Sequence, residues 1–329
     1  MPRGAREGRA KGGALAYPAR SRRSGGLSIG INLFPTGKRC QFGCPYCEVF
    51  PPPAGPAISA RPAAEAPAGN AAQMAAEANA PPQNAPPLEA RSFEAPPLEA
   101  RHSEAPPPRV PLARLEAELR ALLAWARESG EPAMDVCFSG AGEPTLSPDF
   151  PAALELAARA RAEEAPGAKL VLITNGAGLL EPRVFSLLRG AARGPEALDV
   201  WLKLDAATPG WREKINATRI PHEALLEKAA EFAACAPVTL QAMLCAVDGA
   251  GPPEEEERAW ERLAAGIAAA GAGNVRAAQI YGKARPSPGD PRSSPLPAER
   301  LHARAESLRL ALAALCPALP APLPVRVYP

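Results

Sequence analysis

The 329-residue sequence holds only three histidines and four methionines, and aromatic residues make up 5% of it. It contains no uninterrupted apolar run of about 18 residues, so a helical membrane span is not expected. The N-terminus begins Met-Pro-Arg-Gly and is basic, yet no apolar stretch of secretory type follows it. Arg22-Arg23 hints at a twin-arginine signal, but the following Ser24-Gly25-Gly26 and the strand-like run 27–34 argue against one. These absences lead to the expectation of a cytoplasmic chain. The cysteine count, seven, is odd. Three of them crowd at Cys40, Cys44 and Cys47 and four are scattered, which suits a reduced chain with a metal site better than a disulfide framework. The histidines offer no ligand set: His102 lies in a Pro-rich stretch, and His222 and His302 fall on predicted helix exteriors.

Proline is what the sequence has in excess. Its 42 residues are about 13% of the chain, where roughly 5% is usual. Residues 51–110 hold fifteen of them together with eighteen Ala, and a unit beginning Ala-Pro-Pro-Leu-Glu-Ala-Arg recurs from Ala85 and Ala95. Pro-Pro at that period forbids continuous helix, and few apolar side chains are present to offset ordering entropy, so 51–110 reads as a disordered insert. Net charge is +2, but residues 1–26 carry seven basic residues and one acid. They read as a disordered basic arm, which could touch nucleic acid.

The rest alternates. Strands are expected at 27–34, 134–138, 170–174, 198–204, 238–244 and 275–281, with a last short one at 325–328. Helices are expected from Leu112, with Leu115, Leu119 and Leu122 on one face, and at about 149–164, 181–189, 222–234, 254–270 and 298–315. In the last of these, Leu301, Leu308, Leu312 and Leu315 share a face. Apolar strands alternating with helices imply a parallel sheet covered by helices. Six such units favour an α/β fold of the partial (β/α)6 TIM-type barrel kind, over residues 27–329, with the insert after the first strand. Periodicity alone does not separate this from a Rossmann sheet.

The strongest chemical signal is Cys40-Gln-Phe-Gly-Cys44-Pro-Tyr-Cys47. Thiolates select zinc or an iron–sulfur cluster. No fourth ligand follows nearby, so three cysteines on one loop leave a metal position open. Phe138-Ser-Gly-Ala-Gly-Glu-Pro-Thr145 follows the second strand, and glycine there lets backbone approach a ligand. Ile173-Thr-Asn-Gly176 follows the third. Trp201-Leu-Lys-Leu-Asp-Ala206 ends the fourth and puts Lys203 and Asp205 on one face. A charged pair there is costly unless used or paired, so both are catalytic candidates, with a structural salt bridge as the alternative. Gln241 on the fifth strand, and Tyr281, Lys283 and Arg285 after the sixth, are further candidates for lining a pocket. Each motif sits at the C-terminal end of a predicted strand, the catalytic end of a (β/α) barrel.

These motifs resemble the radical S-adenosylmethionine superfamily, whose hallmark is a C-x3-C-x-aromatic-C loop after the first strand of a partial barrel. The resemblance covers about 27–50 and 112–328. It implies that Cys40, Cys44 and Cys47 hold a 4Fe–4S cluster, and that Tyr46, Gly142, Glu143, Asn175, Asp205 and Gln241 bind S-adenosylmethionine. It also implies reductive cleavage of S-adenosylmethionine to a 5′-deoxyadenosyl radical that abstracts hydrogen from a substrate, with flavodoxin or ferredoxin as the external electron donor. Within the superfamily, the run 30–34, the 138–146 phrase and Lys203-Leu-Asp-Ala206 most resemble the wyosine-synthetase-like group. Its members that act on transfer RNA carry further N-terminal cysteines, whereas no Cys precedes Cys40 here. RNA-base modification, small-molecule rearrangement and glycyl-radical activation stay open as activities. A non-catalytic zinc or iron–sulfur binding protein is the alternative of a different class.

Overall fold

The computed structural model describes residues 13–49 and 109–329, apart from 272, 289, 318 and 320. The expected insert at 51–110 lies, but for its last two residues, outside the described residues, as does the arm over 1–12. From residue 13 onward the elements run β1 (Ala16–Ser21), β2 (Gly26–Ile31), α1 (Leu112–Glu128), β3 (Asp135–Phe138), α2 (Phe150–Glu164), β4 (Lys169–Thr174), α3 (Pro182–Arg193), β5 (Leu198–Lys203), α4 (Pro209–Ile215), α5 (His222–Cys235), β6 (Val238–Val247), α6 (Glu254–Ala270), β7 (Val275–Gly282), β8 (Ser293–Pro295), α7 (Ala298–Leu315) and β9 (Val325–Tyr328).

The sheet order is β1-β2-β3-β4-β5-β6-β7-β9, and the sheet curls into a half-barrel. Strands β2 to β7 and β9 are all parallel; β1 pairs antiparallel with β2 at one edge, and short β8 pairs with β6. This is the expected partial barrel with helices on its outer face. The α1 stripe that packs on the sheet is Leu115, Leu119, Leu123 and Ala126, while Leu122 is only partly buried. On α7, Leu301, Leu308 and Leu312 are buried, but Leu315 at the helix end is exposed. All ten residues of β6 are buried, as a strand covered on both faces requires.

One expectation needs correction. Residues 1–26 read as a disordered arm, yet Ala16–Ser21 form β1, in register with β2 from Ala16 opposite Ile31 to Ser21 opposite Gly26. Pro18 is tolerated because β1 is an edge strand and need not donate on its open side. Tyr17 lies opposite Gly30, and a Cβ at Gly30 would come 2.3 Å from the Tyr17 ring, so glycine makes the seat for that ring. The hairpin turn at 22–25 lies at the N-terminal ends of the parallel strands. From it Arg23 reaches into the barrel, where its guanidinium lies 5.6 Å from the Trp201 ring and 4.8 Å from the Tyr281 ring and donates to Gln241 Oε1 at 3.3 Å.

Candidate active site

The cysteine loop leaves the C-terminal end of β2, at the mouth of the half-barrel. Three neighbours fix its course. At its start, Arg39 N donates to the Ala141 carbonyl at 3.0 Å and Glu143 N donates back to the Arg39 carbonyl at 2.7 Å. Between these bonds sits Gly142, with φ of 153° and no room for a side chain: a Cβ would lie 1.9 Å from the Arg39 oxygen. In the middle, Gly43 N donates to the Asn216 carbonyl at 2.7 Å. Near the end, Ser293 Oγ of β8 donates to the Pro45 carbonyl at 2.9 Å.

Two asparagines touch the sulfurs. Asn175 Nδ2 donates to Cys40 Sγ at 3.5 Å, and Asn216 Nδ2 donates to Cys44 Sγ at 3.5 Å. The Phe42 N–H adds a contact to Cys40 Sγ at 3.4 Å. Burial, then the neighbouring Cys44, pushes the Cys40 thiol up to about 12. Burial, then Asp205, raises Cys44. Lys38 stands among the three cysteines and bonds to Cys47. Burial works to lower its ammonium, and Cys47, Cys40 and Cys44 outweigh burial and hold it above its ordinary value. Among the described residues, no group of three or more His, Cys, Asp or Glu side chains is arranged to hold a single metal ion.

Beneath the loop, Asp205 is a junction. Its Oδ2 accepts from the Tyr46 hydroxyl and from Asn216 Nδ2 at 3.1 Å. Its Oδ1 accepts from Met243 N at 2.9 Å and Lys203 Nζ at 3.2 Å. The Asp205 side chain is only 2% exposed, and its acceptor sites are used within the protein. Lys203 also donates to the Tyr281 hydroxyl, and its ammonium lies 4.9 Å from the centroids of both the Tyr46 and Tyr281 rings.

The other residues singled out in the sequence divide in the same manner. Glu143 Oε1 accepts from Thr145 N, Thr145 Oγ1 and Thr174 Oγ1, and Oε2 accepts from Asn175 N at 2.7 Å. It ties the loop after β3 to the loop after β4, and burial raises its carboxyl above the ordinary value. Asn175 spends Oδ1 on the Ala177 N–H and presents its NH2 to Cys40. Gln241 is fully buried and donates to Gln279 Oε1 at 2.7 Å. Glu143, Asn175, Asp205 and Gln241 thus hold the site from behind, while Tyr46, Lys203, Tyr281, Lys283 and Arg285 line a cavity of about 850 Å³ that runs from the cysteine loop down the barrel to Arg23. Sequence reasoning missed Asn216, Lys38 and Arg23. Asn216 follows the seven-residue α4, which has no motif of its own.

Of the scattered cysteines, Cys137 lines the same cavity, Cys245 is buried beside Tyr46 and Met243, and Cys316 donates to the Ala265 carbonyl. No helix among the described residues is long and apolar enough to cross a membrane.

No family model matches the sequence, and neither does any curated protein. Solved structures do match. A Streptococcus suis SuiB structure bound to S-adenosylmethionine aligns at TM-score 0.51 and 11% identity, over 89% of this chain and 49% of that one. An archaeal TYW1 aligns at TM-score 0.40 and 12% identity, over 61% of this chain and 62% of that one. The chain therefore spans about half the length of the SuiB structure and under two thirds of the TYW1 structure. The resemblance read from the cysteine loop is met at the level of the fold.

Proposed function

We propose that this chain is a radical S-adenosylmethionine enzyme, with Cys40, Cys44 and Cys47 as ligands of a 4Fe–4S cluster. The observation that carries the reading is the cysteine loop: three thiols at the mouth of a half-barrel, clamped by the Gly142 crossing and contacted at sulfur by Asn175 and Asn216. The donor set fits such a cluster. Three thiols on a single loop are soft ligands. The fold shared with a protein bound to S-adenosylmethionine supports the same cofactor here.

When bound, the cluster supplies the electron that cleaves S-adenosylmethionine to methionine and a 5′-deoxyadenosyl radical, which takes a hydrogen atom from the substrate. The protein's own part is positioning. Asn175 and Asn216 direct N–H groups at Cys40 and Cys44, and such bonds stabilise negative charge at sulfur. Gly142 leaves the Ala141–Glu143 backbone pressed against the start of the loop. Asp205 is a positioning residue: it orients Tyr46 and Asn216, and through them Cys44. Lys203 and Tyr281 form a hydrogen-bonded pair facing the cavity, where a substrate could meet them. An external one-electron donor of the flavodoxin or ferredoxin kind completes the scheme.

Anaerobic reconstitution with iron and sulfide tests the reading. A brown protein that cleaves S-adenosylmethionine with dithionite is expected, and Cys44→Ala loses both colour and cleavage. A colourless, zinc-loaded protein overturns it.

A further inference from the structure

The cavity wall is lopsided in charge. Arg20, Arg22, Arg23, Lys203, Lys283 and Arg285 contribute to it, with Lys38 at the cysteine end, and Glu48 is the one acid in its lining among the described residues. Several of these cations are already engaged. Arg20 pairs with Glu131, Lys203 with Asp205, and Arg23 lies between two aromatic rings. Arg285 Nη1 pairs with Glu48 at 2.9 Å. Arg22 and Lys283 are different. Neither has a carboxylate partner among the described residues; the Lys283 ammonium donates to the Arg285 carbonyl at 2.6 Å. The carboxylate whose field reaches both is Glu48, which Arg285 already holds. Arg22 is held below its ordinary value by burial, then by the Arg23 and Arg285 guanidiniums. A third donor is idle: the buried indole N–H of Trp201, whose ring lines the cavity, has no acceptor among the described residues.

Like charges gathered around a concavity, with donors to spare and one spent acceptor, are an anion site in waiting. We infer that the cavity takes a small anionic molecule, a carboxylate or phosphate, whose charged end is held by Arg22, Lys283 and Arg285 on the wall around Glu48. A volume of about 850 Å³ accommodates a small metabolite together with a cofactor, within the usual range for ligand pockets of roughly 300–1,000 Å³. Naming this molecule as substrate rests on the proposed radical chemistry; the anion binding does not.

Titration calorimetry at low salt, with malonate and pyrophosphate as probes, tests the inference on reconstituted wild type, on Arg22→Gln/Lys283→Gln and on Cys44→Ser. One probe binds the wild type, and its identity assigns carboxylate or phosphate chemistry. The double variant binds that probe about tenfold or more weakly, about 1.4 kcal/mol, with unchanged affinity for S-adenosylmethionine and an unchanged thermal midpoint. Cys44→Ser keeps the probe and loses the cluster. Equal binding by wild type and double variant, or no binding of either probe, overturns the inference. So does a parallel loss of S-adenosylmethionine affinity, which would give the cations to the cofactor. Tighter binding of an RNA oligonucleotide than of either probe, weakened by the same variant, overturns the small-molecule assignment. If the protein proves colourless yet shows the probe result, the anion site stands and the radical reading falls.

Discussion

Asp205→Asn is the sharpest test of how the site is held. The substitution keeps the shape and removes the charge. Each carboxylate oxygen of Asp205 accepts from two donors: Met243 N and Lys203 on one side, Tyr46 and Asn216 on the other. An amide has one acceptor and one NH2, so either orientation turns the NH2 toward a pair of donors. The Tyr46 hydroxyl can rotate to accept. Asn216 can do so only by flipping its amide away from Cys44 Sγ. In the other orientation the NH2 confronts the Lys203 ammonium, left buried without its counter-charge. Breaking one half of a buried ion pair costs about 3–5 kcal/mol, set against a total stability of about 5–15 kcal/mol for a domain. Urea unfolding of the anaerobic apo-protein measures the loss. The companion Lys203→Met/Asp205→Asn recovers most of it, because no unpaired charge remains. The pH dependence gives a second signature. In the wild type, burial works to lower Lys203, and Asp205, Tyr281 and Cys44 together outweigh it, lifting the ammonium above the ordinary 10.5. That contribution is fully present below 10.5 and fades as pH rises through the higher folded value. In Asp205→Asn the strongest of these opposing influences is gone, so the folded value falls, and the variant's deficit narrows as pH climbs through that lowered value. A loss under about 1 kcal/mol, the worth of a single ordinary hydrogen bond, with no pH trend, would refute the junction.

Gly142→Ala places a methyl against the Arg39 carbonyl at a backbone angle that side chains rarely adopt; iron content per chain after reconstitution should fall sharply, with a lower thermal midpoint. Asn216→Ala removes one N–H···S contact, worth about 1 kcal/mol, so the cluster should still assemble and its one-electron potential should drop by about 40 mV in a redox titration followed by electron paramagnetic resonance. Gly30→Val displaces the Tyr17 ring and should destabilise the protein by about 1–3 kcal/mol through overpacking in chemical denaturation, while Gly167→Ala, where the added methyl meets nothing within 4 Å, should cost less.

Much of the architecture was legible because parallel strands buried on both faces leave apolar runs such as Leu170–Ile173, and because amphipathic helices mark the crossovers between them. The hairpin strand β1 was not legible. Its sequence, Ala-Tyr-Pro-Ala-Arg-Ser, carries a proline and adjoins two arginines, and only its edge position and the Tyr17–Gly30 seat make a strand of it. The same holds at the site. Cys40, Cys44 and Cys47 announce themselves by spacing. Glu143, Asn175 and Asp205 stand out in the sequence as polar residues at strand ends, but which way each carboxylate and amide faces depends on tertiary partners that no local pattern encodes. Asn216 and Lys38 carry no pattern at all. Arg23 was read as part of a solvated arm, because nothing local distinguishes an arginine that turns inward from one that does not.

The hairpin has a consequence for how such a chamber can change. Its floor is furnished by a four-residue turn outside the parallel strands and at the opposite end from the cysteine loop. Barrel walls and reactive mouth are tied to the core, where substitutions are costly, whereas a turn at 22–25 accepts new lengths and side chains cheaply. Depth and polarity of the chamber can therefore be retailored by exchanging that turn alone, so a graft library over four positions would explore new guests while leaving the reactive end untouched.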